Sequence, residues 1–160
     1  MPLFKTLMFT ILFPGTVTIL IPRWLLANET ASPIGVLRFV GLIPILIGIP
    51  IYLWCAWDFA TFGRGTPLVF DPPKALVARG LYKFARNPMY VGILSILLGE
   101  AALFASPTLA GFAASMALLF HTFVVLYEEP NLQKRFGESY RSYCAQTPRW
   151  FPGFKKSVNL

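Results

Sequence analysis

Charge is what this sequence has least of. Only 13% of its 160 residues are Asp, Glu, Lys or Arg, against about 25% in soluble domains. With 56% hydrophobic residues and a mean hydropathy of +0.61, the composition excludes an ordinary soluble domain. Histidine occurs once and cysteine twice. Cys55 and Cys144 show no metal-ligand spacing, which argues against a zinc site or a disulfide framework. Acidic residues number 7 against 14 basic ones, for a net charge of +7. The basic excess flanks apolar runs, so anionic lipid rather than nucleic acid is the expected partner. Repeats and low-complexity segments are absent, and one domain over 1–160 is the expectation.

The long apolar runs place the chain in the membrane as an all-α protein. Four stretches approach the roughly 20 apolar residues that a bilayer requires: residues 7–21, 39–57, 89–105 and 109–127. The first has Lys5 before it, as a signal peptide would, but Leu26, Ala27 and Asn28 form a poor cleavage site. A retained helix is therefore expected. Prolines 14, 44 and 50 fall inside these runs, where neighbouring helices can satisfy the freed backbone groups. The middle loop carries Arg64, Lys74, Arg79, Lys83 and Arg86, and the tail carries Lys134, Arg135, Arg141, Arg149, Lys155 and Lys156. Cytoplasmic loops concentrate Lys and Arg, so both termini and the middle loop are assigned to the cytoplasm.

Turn chemistry organises the rest. Gly63, Gly65, Pro67 and Asp71-Pro72-Pro73 read as turns and extended chain, and residues 75–84 as a short interfacial element. Asn87-Pro88 and Ser106-Pro107 are helix starts, a capping residue followed by Pro at the first position. The last two spans then form a tight hairpin, with Asn87-Pro88 beside Tyr127, Glu128 and Glu129. Residues 131–144 place Leu132, Phe136, Tyr140 and Tyr143 on one face of an amphipathic helix, suited to lie on the membrane or over the hairpin's inner end. Gly137 weakens it by about 1 kcal/mol.

That juxtaposition defines two poles. Glu128 and Glu129 stand where the last span is expected to end, before Pro130, and carboxylates there oppose the helix dipole unless a cation is near. Arg86 and the free N–H groups of the neighbouring helix start favour an anion. The poles lie about one helix spacing apart, roughly 10 Å. A zwitterionic ligand suits them, and so does a simple interfacial ion pair. Glu100, inside the third span, is open to a functional or a packing role. His121 and Trp57 are candidate substrate contacts; a hydrogen bond across helices and an aromatic belt with Trp54, Tyr90, Tyr127 and Trp150 explain them equally.

The ordered blocks Gly80-Leu81-Tyr82, Arg86-Asn87-Pro88-Met89-Tyr90-Val91-Gly92, Glu128-Glu129-Pro130-Asn131-Leu132, Arg135-Phe136-Gly137, Tyr140, Tyr143 and Pro148-Arg149-Trp150-Phe151-Pro152 resemble the isoprenylcysteine carboxyl methyltransferase family. That group of small membrane methyltransferases includes phospholipid N-methyltransferases. The resemblance covers residues 63–152 and implies S-adenosylmethionine as cofactor. It implies cofactor contacts from Gly80, Tyr82, Arg86, Asn87, Pro88, Tyr90, Glu128 and Glu129, and catalytic roles for Glu128, Glu129 and Arg149. The family's usual Arg-His-Pro is Arg-Asn-Pro here, so any base function of that histidine is lost. The expected activity is methyl transfer to a lipophilic or amphipathic acceptor, a carboxylate, thiol or amine. A membrane scaffold or small transporter subunit is the alternative from another class.

Overall fold

A computed structural model describes residues 8, 11–27, 29, 35–63 and 76–151. The middle-loop turns at 64–75 and the tail beyond Phe151 lie outside them. Every element among the described residues is helical. A π-helical turn, Thr16–Leu20, runs into α1 (Ile21–Leu26); a 3-10 turn, Val36–Gly41, runs into α2 (Leu42–Asp58); α3 is Pro88–Leu103 and α4 is Pro107–Phe123. A second π-helical turn, Val124–Glu128, joins α4 to α5 (Glu129–Phe136), and α6 (Glu138–Gln146) follows.

Two continuous helices are long and apolar enough to cross a bilayer, Arg38–Phe62 and Pro107–Phe136. Only 28% of the most apolar stretch of each is buried. A soluble core helix would hide that surface; here Leu46, Leu118 and Leu126 stand outward, as lipid-facing residues do. Thr16–Leu26 and Pro88–Leu103 are apolar but shorter.

The helix carrying Glu128 and Glu129 does not stop at Tyr127. It continues to Phe136, so the glutamates are mid-helix and the dipole argument against them falls away. Proline lacks an N–H and its ring presses on the carbonyl four residues back. The helix answers by widening: the N–H of Glu129 reaches Val124 O, five residues back, directly before Pro130. The turn Thr16–Leu20 does the same before Pro22, with Ile21 N–H on Thr16 O. The break expected to be mild is instead complete. Gly137, at φ +53, separates α5 from α6, so residues 131–144 are two short helices. The element expected over 75–84 is a 3-10 turn, Gly80–Lys83.

Close approach of α3 to α2 and to the 3-10 turn before it rests on two pairs of glycines seven residues apart, Gly41 and Gly48 against Gly92 and Gly99. A Cβ on Gly48 would lie 2.5 Å from Gly92 O, and one on Gly41 2.4 Å from Gly99 O. Without a hydrophobic force between helices in lipid, such backbone proximity supplies the packing. Ile45 and Ile96 border these contacts, and Ile93 and Leu97 of α3 are almost fully buried in the core. At the turn between α3 and α4, Ser106 caps α4 by accepting from Leu109 N at 3.0 Å. The Ser106 and Thr108 hydroxyls both donate to Glu29, tying down the segment after α1.

Gly48→Ala should force α2 from α3 and cost about 1–3 kcal/mol through overpacking. Gly111→Ala, where a Cβ meets nothing within 4 Å, should be stabilising by about 0.5–1 kcal/mol. Thermal unfolding of the detergent-solubilised protein distinguishes the two; equal effects would sink the close-packing account.

Candidate active site

The start of α3, the end of α4 and the tail converge at the end of the molecule opposite the Ser106 turn. Between them is a cavity of about 480 Å³, within the usual range for small-molecule sites. Tyr82, Arg86, Asn87, Tyr90, Glu128 and Glu129 line it together with Phe59, Phe123, Tyr127, Tyr140 and Tyr143. Its walls are therefore aromatic, with a few charges set among them.

Glu129 is the most heavily engaged of these charges. Arg149 meets it in a two-pronged contact, Nε to Oε1 at 2.8 Å and Nη2 to Oε2 at 3.0 Å. The Nη1 of Arg86 stands 3.2 Å from the same Oε1 and donates to Cys144 Sγ at 2.7 Å. Donating to the Glu129 carboxylate raises the Arg149 pKa further, which locks its charge in place. So the two expected poles close on each other through Glu129 rather than standing 10 Å apart. Glu128 stays apart from this cluster. Among the described residues it takes one hydrogen bond, from Tyr90 OH at 3.1 Å. Arg86 Nε is buried without an acceptor.

The tail is clamped on this cluster by backbone. Arg86 N donates to Pro148 O at 2.9 Å, and Asn87 N to Arg149 O at 3.2 Å. Asn87 occupies the capping position of α3, yet its side chain makes no cap bond. Its Nδ2 donates instead to Arg149 O at 3.1 Å, which turns the amide towards the tail. Tyr143 OH donates to Tyr82 O at 2.6 Å. Burial pushes the Tyr82, Tyr140 and Tyr143 phenols above their usual range, so they remain protonated donors at neutral pH.

Other candidates lie off the cavity wall. Gly80, at φ +55, passes Asp58 so closely that a Cβ would sit 2.3 Å from Oδ2; it makes the turn that presents Tyr82. Pro88 is buried at the start of α3. His121 Nδ1 accepts from Trp150 Nε1 at 3.2 Å, which fastens the tail to α4. Trp57 is 60% exposed on the outer face of α2. Glu100 lies towards the opposite end, its Oε2 buried without a partner. Sequence reasoning missed Asp58, which is almost fully buried with Arg79 Nε 3.5 Å from Oδ1. A lone acid at the end of an apolar run was the available signal. It also missed Cys144, for which no pattern pointed to Arg86.

A family model described as phospholipid methyltransferase matches residues 36–139, most of the chain and every cavity-lining residue except Tyr140 and Tyr143. The chain belongs to the phospholipid methyltransferase family. This family lies within the isoprenylcysteine carboxyl methyltransferase-like group that the sequence resembles. The match ends before the tail strap at 147–151, so the contacts of Arg149 are known from the structure alone. A nickel-cobalt-cadmium resistance protein of Alcaligenes xylosoxydans xylosoxydans is 30% identical over 113 residues, 71% of this chain. The chain spans about half, 48%, of that protein's length. No solved structure matches.

Glu129→Gln should leave Arg86 and Arg149 without their shared carboxylate and cost about 2 kcal/mol, the scale of a charged hydrogen bond. Hydrogen exchange should quicken at residues 149–151 while the protection of α2 is kept. Unchanged exchange there would show that the tail is held by something other than Glu129.

Proposed function

We propose that this protein is an S-adenosylmethionine-dependent methyltransferase acting at the cytoplasmic membrane boundary on a lipophilic or amphipathic acceptor. The observation that supports it most is a split donor set on one aromatic cavity: Arg86 Nε, buried without an acceptor, and Glu128, apart from the Glu129 cluster. Methionine carries a carboxylate and an ammonium, which suit a guanidinium N–H and a carboxylate respectively. The phenols and rings of Tyr82, Tyr140, Tyr143 and Phe59 suit an adenine face or a sulfonium. Bound there, the cofactor would supply an electrophilic methyl group.

The residues of the chain then divide the work. Arg86, Asn87, Tyr90, Glu128 and Tyr82 bind and orient. Glu129 and Arg149 act one step back, fixing Arg86 and closing the tail over the cavity. Asn87 holds that tail by hydrogen bonding and has no need to titrate. Excluding water favours transfer to an anionic nucleophile, since charge is lost as the bond forms, and positioning supplies much of the remaining acceleration. In the membrane, the apolar runs 7–21, 39–57, 89–105 and 109–127 make four crossings, the last two as a tight hairpin, with the basic loop, the tail and both termini cytoplasmic. The acceptor is a carboxylate, thiol or amine that enters from lipid.

Equilibrium binding of labelled S-adenosylmethionine to the purified full chain tests this. Wild type should bind, and Glu128→Gln and Arg86→Ala should each weaken binding at least about tenfold, the loss of one charged contact. A folded wild-type protein without affinity would return the chain to the scaffold or transporter class.

A further inference from the structure

The end of α2 grips the short segment that carries one wall of the cavity. Cys55, Asp58, Phe59 and Phe62 follow one another at steps of three, one and three residues across α2 and the π-helical turn after it, Phe59–Gly63, and so share a face. Each of them meets the 79–82 stretch. The Tyr82 phenol meets the Cys55 thiol, and its ring stands edge-on to Phe59 at 5.6 Å. Arg79 Nε is 3.5 Å from Asp58 Oδ1, while the Arg79 guanidinium lies 3.3 Å from the centre of the Phe62 ring. Gly80, at φ +55, passes Asp58 Oδ2 with no room for a Cβ. Leu76, Val77 and Tyr82 of this segment line the cavity. Local structure alone holds them weakly, since residues 76–79 lie outside any helix and the 3-10 turn has four residues.

Burial makes the Asp58–Arg79 pair unequal. The Asp58 side chain is 3% exposed and that of Arg79 48%. Without the acid, Arg79 can turn to water. Without the arginine, Asp58 has no such exit, and its Oδ2 already lacks a hydrogen-bond partner. A buried charge left unpaired costs far more than a neutral pair in its place. The carboxylate therefore obliges Arg79, and with it Gly80 and Tyr82, to stay against α2. We propose that Asp58 is a positioning residue for the cavity: through Arg79 and Gly80 it fixes the wall of Leu76, Val77 and Tyr82 without touching the ligand. Only the identity of that ligand rests on the methyltransferase reading above.

The test uses the full chain in nanodiscs with 3-fluorotyrosine in place of Tyr82, read by fluorine NMR, with binding of labelled S-adenosylmethionine and thermal unfolding measured on the same samples. Arg79→Gln, which strands Asp58, should shift or split the wild-type resonance and weaken S-adenosylmethionine binding about tenfold. Asp58→Asn/Arg79→Gln, with neither charge, should restore the resonance and bring the affinity back to within about threefold of wild type. Gly80→Ala should displace the resonance as Arg79→Gln does, because its Cβ meets Asp58 Oδ2. A merely structural ion pair would lower the unfolding temperature of Arg79→Gln and leave the resonance and affinity of the folded protein unchanged; that result overturns the proposal. So does a double variant as impaired as Arg79→Gln, which would trace the damage to the lost arginine rather than to the stranded acid. If wild type ignores S-adenosylmethionine while the resonance follows the expected pattern, the positioning role stands and the methyltransferase reading alone falls.

Discussion

A single carboxylate, Glu129, organises the functional end of this protein. It takes both prongs of Arg149 and one nitrogen of Arg86, so a helix, a loop and the tail are fixed to one point. Two cations on one carboxylate in a partly dry site are stable only if the remaining charge is spread. Cys144 does part of this by accepting from Arg86. The consequence reaches Glu128. Because its neighbour has absorbed both arginines, Glu128 keeps a carboxylate committed, among the described residues, to Tyr90 alone. Two adjacent residues of one type thus take different tasks, one holding the structure and one facing the cavity.

What puts them in position is a proline that the helix accommodates. The π-helical turn before Pro130 adds a residue to one turn, and such turns recur at functional sites because they re-aim the side chains that follow. Cavity-lining residues run from Phe123 through Glu128 and Glu129 to Arg135, which takes in the whole of this turn. A helix that ended at Tyr127 would have left the later residues on a mobile tail. Continuation makes the membrane helix itself the beam that carries this wall of the cavity.

The legible parts of this architecture were those set by composition and capping chemistry. Apolar runs marked the helices, Ser106-Pro107 marked the start of α4, and Arg86, Asn87, Tyr90, Glu128 and Glu129 were named from the sequence and line one cavity. The misread parts share a cause: local rules were applied where tertiary contact decides. Pro130 reads as a stop, yet packing favours a widened turn over a broken helix. Asn87 reads as a cap, yet the Arg149 carbonyl captures its amide. The poles read as separate because sequence shows Glu129 and Arg149 as 20 residues apart, with nothing to say that the tail folds back. The seven-residue glycine spacing was visible, but which helix it faced was not.

The same geometry explains how a polar cavity coexists with lipid-facing walls. The ion pairs among the described residues lie at the end where α2 finishes and α3 begins, while the large exposed hydrophobic side chains of α2 and α4 are leucine, isoleucine and tryptophan. Moving a long apolar chain out of lipid costs roughly 0.8 kcal/mol per methylene, so an enzyme that drew its acceptor wholly into water would work against that gradient. A cavity walled partly by a spanning helix avoids the transfer. In the proposed reaction only the reacting head would have to cross the boundary, where Glu128 and the Glu129 cluster are arranged.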